Sequence, residues 1–184
     1  MGILLAPYVE ENPASFRVFP AHKPAVEGEF AFRMGRSLPA RAEPYTTEDI
    51  VGGVEAVAGA IEIVGTRFSG GLTGKGRLLT TADGGVNIAL VTGRWTPFER
   101  QDLRAHAVTM VINGMKSGSG TGSRALGDPL NVLLWLVNDL SKRQLSLQAR
   151  EIVSTGTCTG LDAVQPGDTV RAIFGSLGDV SIDL

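Results

Sequence analysis

Ala25-Val26-Glu27-Gly28-Glu29-Phe30-Ala31-Phe32 and, further on, Ala60-Ile61-Glu62-Ile63-Val64 are the stretches on which both fold and chemistry turn. Side chains on a strand alternate faces, so in the first run Glu27 and Glu29 point one way and Val26, Gly28, Phe30 and Phe32 the other. Two carboxylates held side by side repel unless a cation or a proton sits between them. The second run is apolar on both faces, the mark of a buried strand, and Glu62 stands inside it. A buried carboxylate is costly unless it is paired, protonated or bound to a metal. For Glu27 and Glu29 alone a solvated strand face is the simpler account; Glu62 shifts the balance toward a site. If the two strands converge, the three glutamates form an oxygen-rich site suited to Mg²⁺ or Mn²⁺.

Outward from these runs, a chain of 184 residues that is 43% hydrophobic and 20% charged fits one globular domain with a sizeable core. A net charge of -2 lacks the basic surface that non-specific nucleic-acid binding needs. Cys158 is the single cysteine, so no internal disulfide forms, which fits a reducing cytosol. The start, Met1-Gly2-Ile3-Leu4-Leu5-Ala6-Pro7, carries no basic n-region and no long apolar run. The longest apolar stretch, near Leu130 to Val137, is far short of the roughly 20 residues of a membrane span. A soluble, cytoplasmic protein is expected, with neither nucleic acid nor membrane as partner.

Periodicity and punctuation place the elements. Residues 1–24, broken by Pro7, Pro13, Pro20 and Pro24, read as irregular. Residues 25–34 and 60–67 read as strands. Thr46 caps a helix, with Asp49 at the third helical position, and the pattern carries that helix to about Val57 although Gly52-Gly53 weakens it. The Gly-rich segment 69–76 reads as a surface loop, mobile or else ordered by a ligand, and a second Gly-rich segment, 114–122, leads into the next helix. Strands are expected over 86–92, 106–112 and 151–155. Asp128 caps the clearest helix, Pro129 takes its first position, and Leu130 to Leu140 carries its apolar stripe. Strands 169–174 and 177–183 can pair as a hairpin across Gly175-Ser176. Many short strands and two convincing helices make an α+β fold with a largely antiparallel sheet or distorted barrel. No alternating βαβ pattern supports a Rossmann or TIM-type fold.

Other motifs reduce to plain readings. Gly71-Leu72-Thr73-Gly74-Lys75-Gly76 is no phosphate loop, because Ser69 replaces the first glycine and Gly76 the metal-holding hydroxyl. Gly118-Ser119-Gly120-Thr121-Gly122 lacks the strand-to-helix context of a dinucleotide site. His22, His106 and Cys158 have no zinc-ligand spacing, and Cys158 reads as an inert core thiol. No G-x-S-x-G elbow surrounds Ser69 or Ser119.

From about Ala25 onward the chain resembles the 2-keto-4-pentenoate hydratase branch of the fumarylacetoacetate hydrolase superfamily. Val26-Glu27-Gly28-Glu29-Phe30 is similar to that family's E-x-E strand, and Ile61-Glu62-Ile63-Val64-Gly65-Thr66-Arg67 to its I-E-I/V-V-x-S-R segment. Leu126-Gly127-Asp128-Pro129-Leu130, Trp135-Leu136-Val137-Asn138, Thr155-Gly156-Thr157-Cys158-Thr159-Gly160, Pro166-Gly167-Asp168 and Leu177-Gly178-Asp179-Val180 follow in the family's order.

The resemblance implies a β-rich mixed roll and a divalent cation, usually Mg²⁺, on Glu27, Glu29 and Glu62. It implies a 2-oxo or enol carboxylic acid as substrate, chelated through its carboxylate and 2-oxygen, with Thr157 at the substrate carboxylate. It implies a lyase that hydrates 2-hydroxypenta-2,4-dienoate or a similar acid of aromatic catabolism. Related activities are decarboxylation of 2-oxo-3-hexenedioate and carbon–carbon bond hydrolysis; a non-catalytic paralogue that binds metal or 2-oxo acid is the remaining alternative. It implies a homo-oligomer as well. The family's G-Y-K-x-G-like segment, to which the resemblance assigns a proton-transfer lysine, has no counterpart here, so a form lacking that N-terminal stretch is expected. Gly65 and Gly84 stand where many members carry Asp and Asn, and Arg150-Glu151 where they carry Gly-Asp.

Overall fold

The computed structural model describes residues 2–72 and 74–184. Met1, in the leader reading, and Thr73, in the phosphate-loop reading, lie outside the described residues. Among the described residues twelve strands run in order: β1 (Val9–Glu11), β2 (Ala14–Ser15), β3 (Ala25–Met34), β4 (Val54–Val64), β5 (Asn87–Thr92), β6 (Thr96–Pro97), β7 (Ala107–Ile112), β8 (Met115–Thr121), β9 (Ile152–Ser154), β10 (Asp162–Ala163), β11 (Thr169–Ile173) and β12 (Asp179–Asp183). Three α-helices of the described residues interrupt them: α1 (Thr47–Val51), α2 (Gly76–Ala82) and α3 (Pro129–Lys142).

Seven strands form one sheet in the order β1-β5-β4-β3-β10, with β6 on β4 and β9 on β3; five form a second in the order β2-β12-β11-β7-β8. Pairing is antiparallel except for β1 with β5 and β2 with β12. The α+β expectation holds, and the roll is made of two sheets rather than a closed barrel.

The core lies between the sheets. Val26, Phe30, Phe32, Ile61 and Val91 of the first meet Val108, Met110, Val170, Ala172 and Ile182 of the second. The approach is close enough that a Cβ on Gly59 of β4 would stand 2.3 Å from the Phe174 ring, so only glycine fits there. Phe30 packs edge-on against Phe174, with ring centroids 5.5 Å apart. α3 turns Leu133 and Val137 inward. Its Asn138 amide accepts from the Tyr45 backbone N–H (2.8 Å) and donates to the Tyr45 carbonyl (3.1 Å), which ties the helix to the segment before α1. Asp128 caps α3 by accepting from the Leu130 N–H, with Pro129 behind it.

Two expectations fail, and two elements go beyond the sequence reading. Residues 1–24 contribute two strands, because the edges of both sheets are open to a short parallel partner. The helix capped by Thr46 stops at Val51: its capping box forms, but Gly52-Gly53 ends it, and Val54–Val64 is recruited along the whole length of β3. Residues 69–72 and 74–75 form the expected loop, and the short helix α2 that follows goes beyond the sequence reading. Segment 114–122 is strand β8, joined to β7 by Asn113-Gly114 with φ of 51° and 78°, the Asn-Gly signature of a tight hairpin. Its glycines serve close approach, since a Cβ on Gly120 would lie 2.1 Å from the Cys158 carbonyl oxygen. The 169–183 hairpin forms as expected.

Candidate metal centre

β3 and β4 pair in antiparallel register with Glu27 directly opposite Glu62 and Glu29 opposite Ala60. Cross-strand partners share a face, so the convergence required of the two runs follows from this register. That face is turned away from the second sheet. Beside the glutamates it is floored by Ala31, Ala60 and Leu90, against which Leu4, Val9, Trp95 and Ile152 pack.

One carboxylate oxygen from each of Glu27, Glu29 and Glu62 lies within 4.8 Å of the other two. Glu29 is 1% exposed and Glu62 7%, while Glu27 is half-buried. Three charges at this spacing repel by at least about 3 kcal/mol per pair at an effective dielectric of roughly 20. The metal-free protein answers by holding protons. Burial, then the charge of Glu29, pushes Glu27 up to about 7. Burial, then Glu29 and Glu27, pushes Glu62 up to about 9. Burial raises Glu29 as well, against the pull of its donors.

Those donors are specific. The Ser154 hydroxyl and the Gly156 N–H (2.8 Å) both donate to Glu29 Oε2. Gly156 has a φ of 93°, which a side chain would strain. Glu29 Oε1 is buried with no hydrogen-bond partner. The Asn87 amide, assigned with its nitrogen toward the site, donates to Glu62 Oε1 at 3.0 Å and to the Gly85 carbonyl at 2.9 Å. Each buried glutamate thus has one anchored oxygen. A buried oxygen without a donor, next to two further carboxylates, suits a hard divalent cation with oxygen ligands.

Thr157 follows Gly156, but its hydroxyl is engaged within its own turn, donating to the Gly160 carbonyl (3.0 Å) and accepting the Gly160 N–H (2.9 Å). Cys158 is buried and its thiol is pushed up to about 12, chiefly by burial, as expected of an inert core thiol. His106 bonds the Phe174 carbonyl through Nε2 and packs edge-on to Phe30.

Sequence reasoning missed Ser154, Asn87 and Arg124. Ser154 ends β9 and Asn87 opens β5, and a neutral polar residue at a strand end is a weaker anomaly than a charge inside an apolar run. Arg124 is exposed, donates to the Thr159 carbonyl at 3.3 Å, and its charge opposes the upward shift of Glu27. It stands in the 3-10 turn after β8, and nothing in its sequence surroundings connects it with Glu27. Asp83, also missed, is 6% exposed and accepts the Arg67 N–H (3.1 Å), which anchors the chain just after β4.

Comparison with known proteins gives the chain a family and a fold. The chain is 32% identical over 161 residues to a 2-keto-4-pentenoate hydratase of Paraburkholderia xenovorans, covering 86% of this chain and 58% of that protein. It is 32% identical over 162 residues to a 2-hydroxyhexa-2,4-dienoate hydratase of Comamonas testosteroni, covering 87% of this chain and 60% of that protein. The chain therefore spans somewhat more than half the length of these relatives. The solved 4-oxalocrotonate decarboxylase of Pseudomonas putida G7, complexed with magnesium and adipate, superposes with a TM-score of 0.88 at 25% identity, covering 99% of this chain and 68% of that one. Residues 9–183 match the fumarylacetoacetate (FAA) hydrolase C-terminal family, and the chain belongs to it.

Proposed function

We propose that this chain is a divalent-metal-dependent hydratase, a lyase that adds water to 2-hydroxypenta-2,4-dienoate or a similar 2-oxo or enol acid. Glu27, Glu29 and Glu62 would hold Mg²⁺, or Mn²⁺. The observation that carries the reading is Glu29 Oε1, a buried carboxylate oxygen without a donor beside two more carboxylates. The names of the hydratase relatives support the choice of reaction. When bound, the ion supplies Lewis-acid stabilisation of the negative charge that develops on an enolate oxygen.

The chain's own residues do the rest. Ser154, Gly156 and Asn87 hold the carboxylates in place. Arg124 places a positive charge near Glu27, where an acidic substrate would enter. We assign Thr157 to the substrate carboxylate, given its position directly after the glycine that bonds Glu29; on this view its hydroxyl exchanges Gly160 for substrate. Trp95 and Leu4 cover the apolar floor and limit water beside the site. We further propose one catalytic domain, a cytoplasmic location and a homo-oligomer. The last rests on the family resemblance.

A second reading, decarboxylation of a 2-oxo-enedioate, is favoured by the likeness to the decarboxylase structure. The test is to follow the ultraviolet absorbance of freshly generated 2-hydroxypenta-2,4-dienoate with Mg²⁺ and then with EDTA. Metal-dependent loss above the spontaneous rate is expected. Folded protein that binds Mg²⁺ yet leaves the dienoate unchanged would sink the hydratase, and CO₂ release from 2-oxo-3-hexenedioate would establish the decarboxylase. Inertness toward both would leave a metal-binding paralogue.

A further inference from the structure

We infer that the Ser154 hydroxyl sets the ion preference of the three-glutamate site by restricting Glu29 to one free carboxylate oxygen. The inference rests on the metal-binding reading above and deepens it.

Ser154 is placed by backbone register, not by its own flexibility. It ends β9, where it pairs with Ala31 of β3, and the chain then stays on β3 through the Thr155 N–H to the Phe30 carbonyl (3.1 Å). Cross-strand pairing with Ala31 puts Ser154 on the face that carries Glu29, diagonally adjacent to it. Its hydroxyl and the Gly156 N–H converge on one oxygen, Oε2. The other oxygen receives no donor.

A carboxylate with both oxygens free can bind an ion through one or through both. Ca²⁺ accepts the two-oxygen mode and takes six to eight ligands in flexible geometry, whereas Mg²⁺ requires short, near-octahedral contacts. Turning both oxygens of Glu29 toward an ion would break two hydrogen bonds in a place where water cannot replace them, since Glu29 is 1% exposed. The pair of donors therefore penalises the mode that the larger ion uses and leaves the one-oxygen mode untouched. Gly156 contributes through its backbone and cannot be edited by substitution; Ser154 can. Ser154 is a positioning residue, acting through Glu29.

The test is calorimetric titration of the full chain with Mg²⁺ and with Ca²⁺, for the unaltered protein, Ser154→Ala and Ser154→Thr. In Ser154→Ala both ions lose an outer-shell partner, which lowers Mg²⁺ affinity about ten-fold or more, whereas Ca²⁺ recovers that loss through the two-oxygen mode now opened and changes by less than about three-fold. Ser154→Thr, which keeps the hydroxyl, restores the ratio. Should Ser154→Ala fail to fold, Ser154→Cys replaces it, with a weak donor of similar size. An equal loss for both ions, or a ratio indifferent to the hydroxyl, overturns the inference while the metal reading stands. An unaltered protein that binds neither ion overturns both together.

Discussion

Along β3, Val26, Phe30 and Phe32 enter the space between the sheets, while Glu27, Glu29 and Ala31 enter the opposite face. Phe30 and Glu29 are adjacent and equally dry, at 0% and 1% exposure. Phe30 meets Phe174 and His106 in edge-on contacts, so its burial stabilises the fold. Glu29 is left with an oxygen that no donor outside the glutamate cluster satisfies, so its burial costs stability in the metal-free protein. Burial by itself does not separate core from site; what separates them is whether each buried group is complemented within the chain or only by a ligand.

The difference can be broken most forcefully on the inner face. Phe30→Ala should destabilise the fold by about 3–5 kcal/mol through lost burial and a residual cavity, read by urea denaturation. A loss below 1 kcal/mol would mean that the inter-sheet space collapses freely and is not the organising core. On the outer face, Glu62→Gln should weaken Mg²⁺ binding by about 3 kcal/mol, roughly 100-fold. It should also leave the metal-free fold as stable as before or more so, because an amide needs no proton to be buried. Unchanged Mg²⁺ affinity in that variant would remove Glu62 from the site.

Gly59→Ala probes where the faces are coupled through β4. Its Cβ would meet the Phe174 ring at 2.3 Å, and the strand or the ring must shift. A destabilisation of about 1–3 kcal/mol is expected from overpacking, measured by thermal unfolding.

The gentlest probe is pH. Glu27 at about 7 and Glu62 at about 9 both lie above the ordinary glutamate value of 4.5, so the folded metal-free protein keeps protons that the unfolded chain releases. This contribution is fully present below about pH 4.5 and is lost as pH rises toward 9. Stability of the EDTA-treated protein should decline across that window, by at most about 1.4 kcal/mol per pH unit for each proton. Saturating Mg²⁺ should flatten or reverse the slope, because the ion replaces the protons. A metal-free stability curve that rises from pH 5 to 8 would contradict the protonated, repelling cluster.

Much was legible before any coordinates. Glu62 was marked by its apolar run, Glu27 and Glu29 by their spacing, and α3 by Asp128-Pro129. The failures share a cause. At Val54–Val57 a fair N-cap and local periodicity favoured helix, while the partner that makes those residues a strand lies some twenty residues earlier in β3. Segment 114–122 has glycines where a strand normally carries bulk, and the reason, the backbone of Cys158 packed on β8, is distant in sequence. The Asn113-Gly114 turn was a local signal that went unread.

By itself the sequence determined the alternation of β3, the anomaly of a carboxylate in an apolar run, the cap and stripe of α3, and the predominance of strands. These are properties of neighbouring residues, which local sterics and the two-residue strand period express directly. Only the tertiary structure decided that Glu62 stands opposite Glu27, that Ser154 and Gly156 occupy one oxygen of Glu29, and that Asn87 and Arg124 lie at the same centre. Those depend on strand register and, for Ser154 and Gly156, on chain segments over a hundred residues from Glu29, and register is set by the burial of whole faces rather than by any one residue in them.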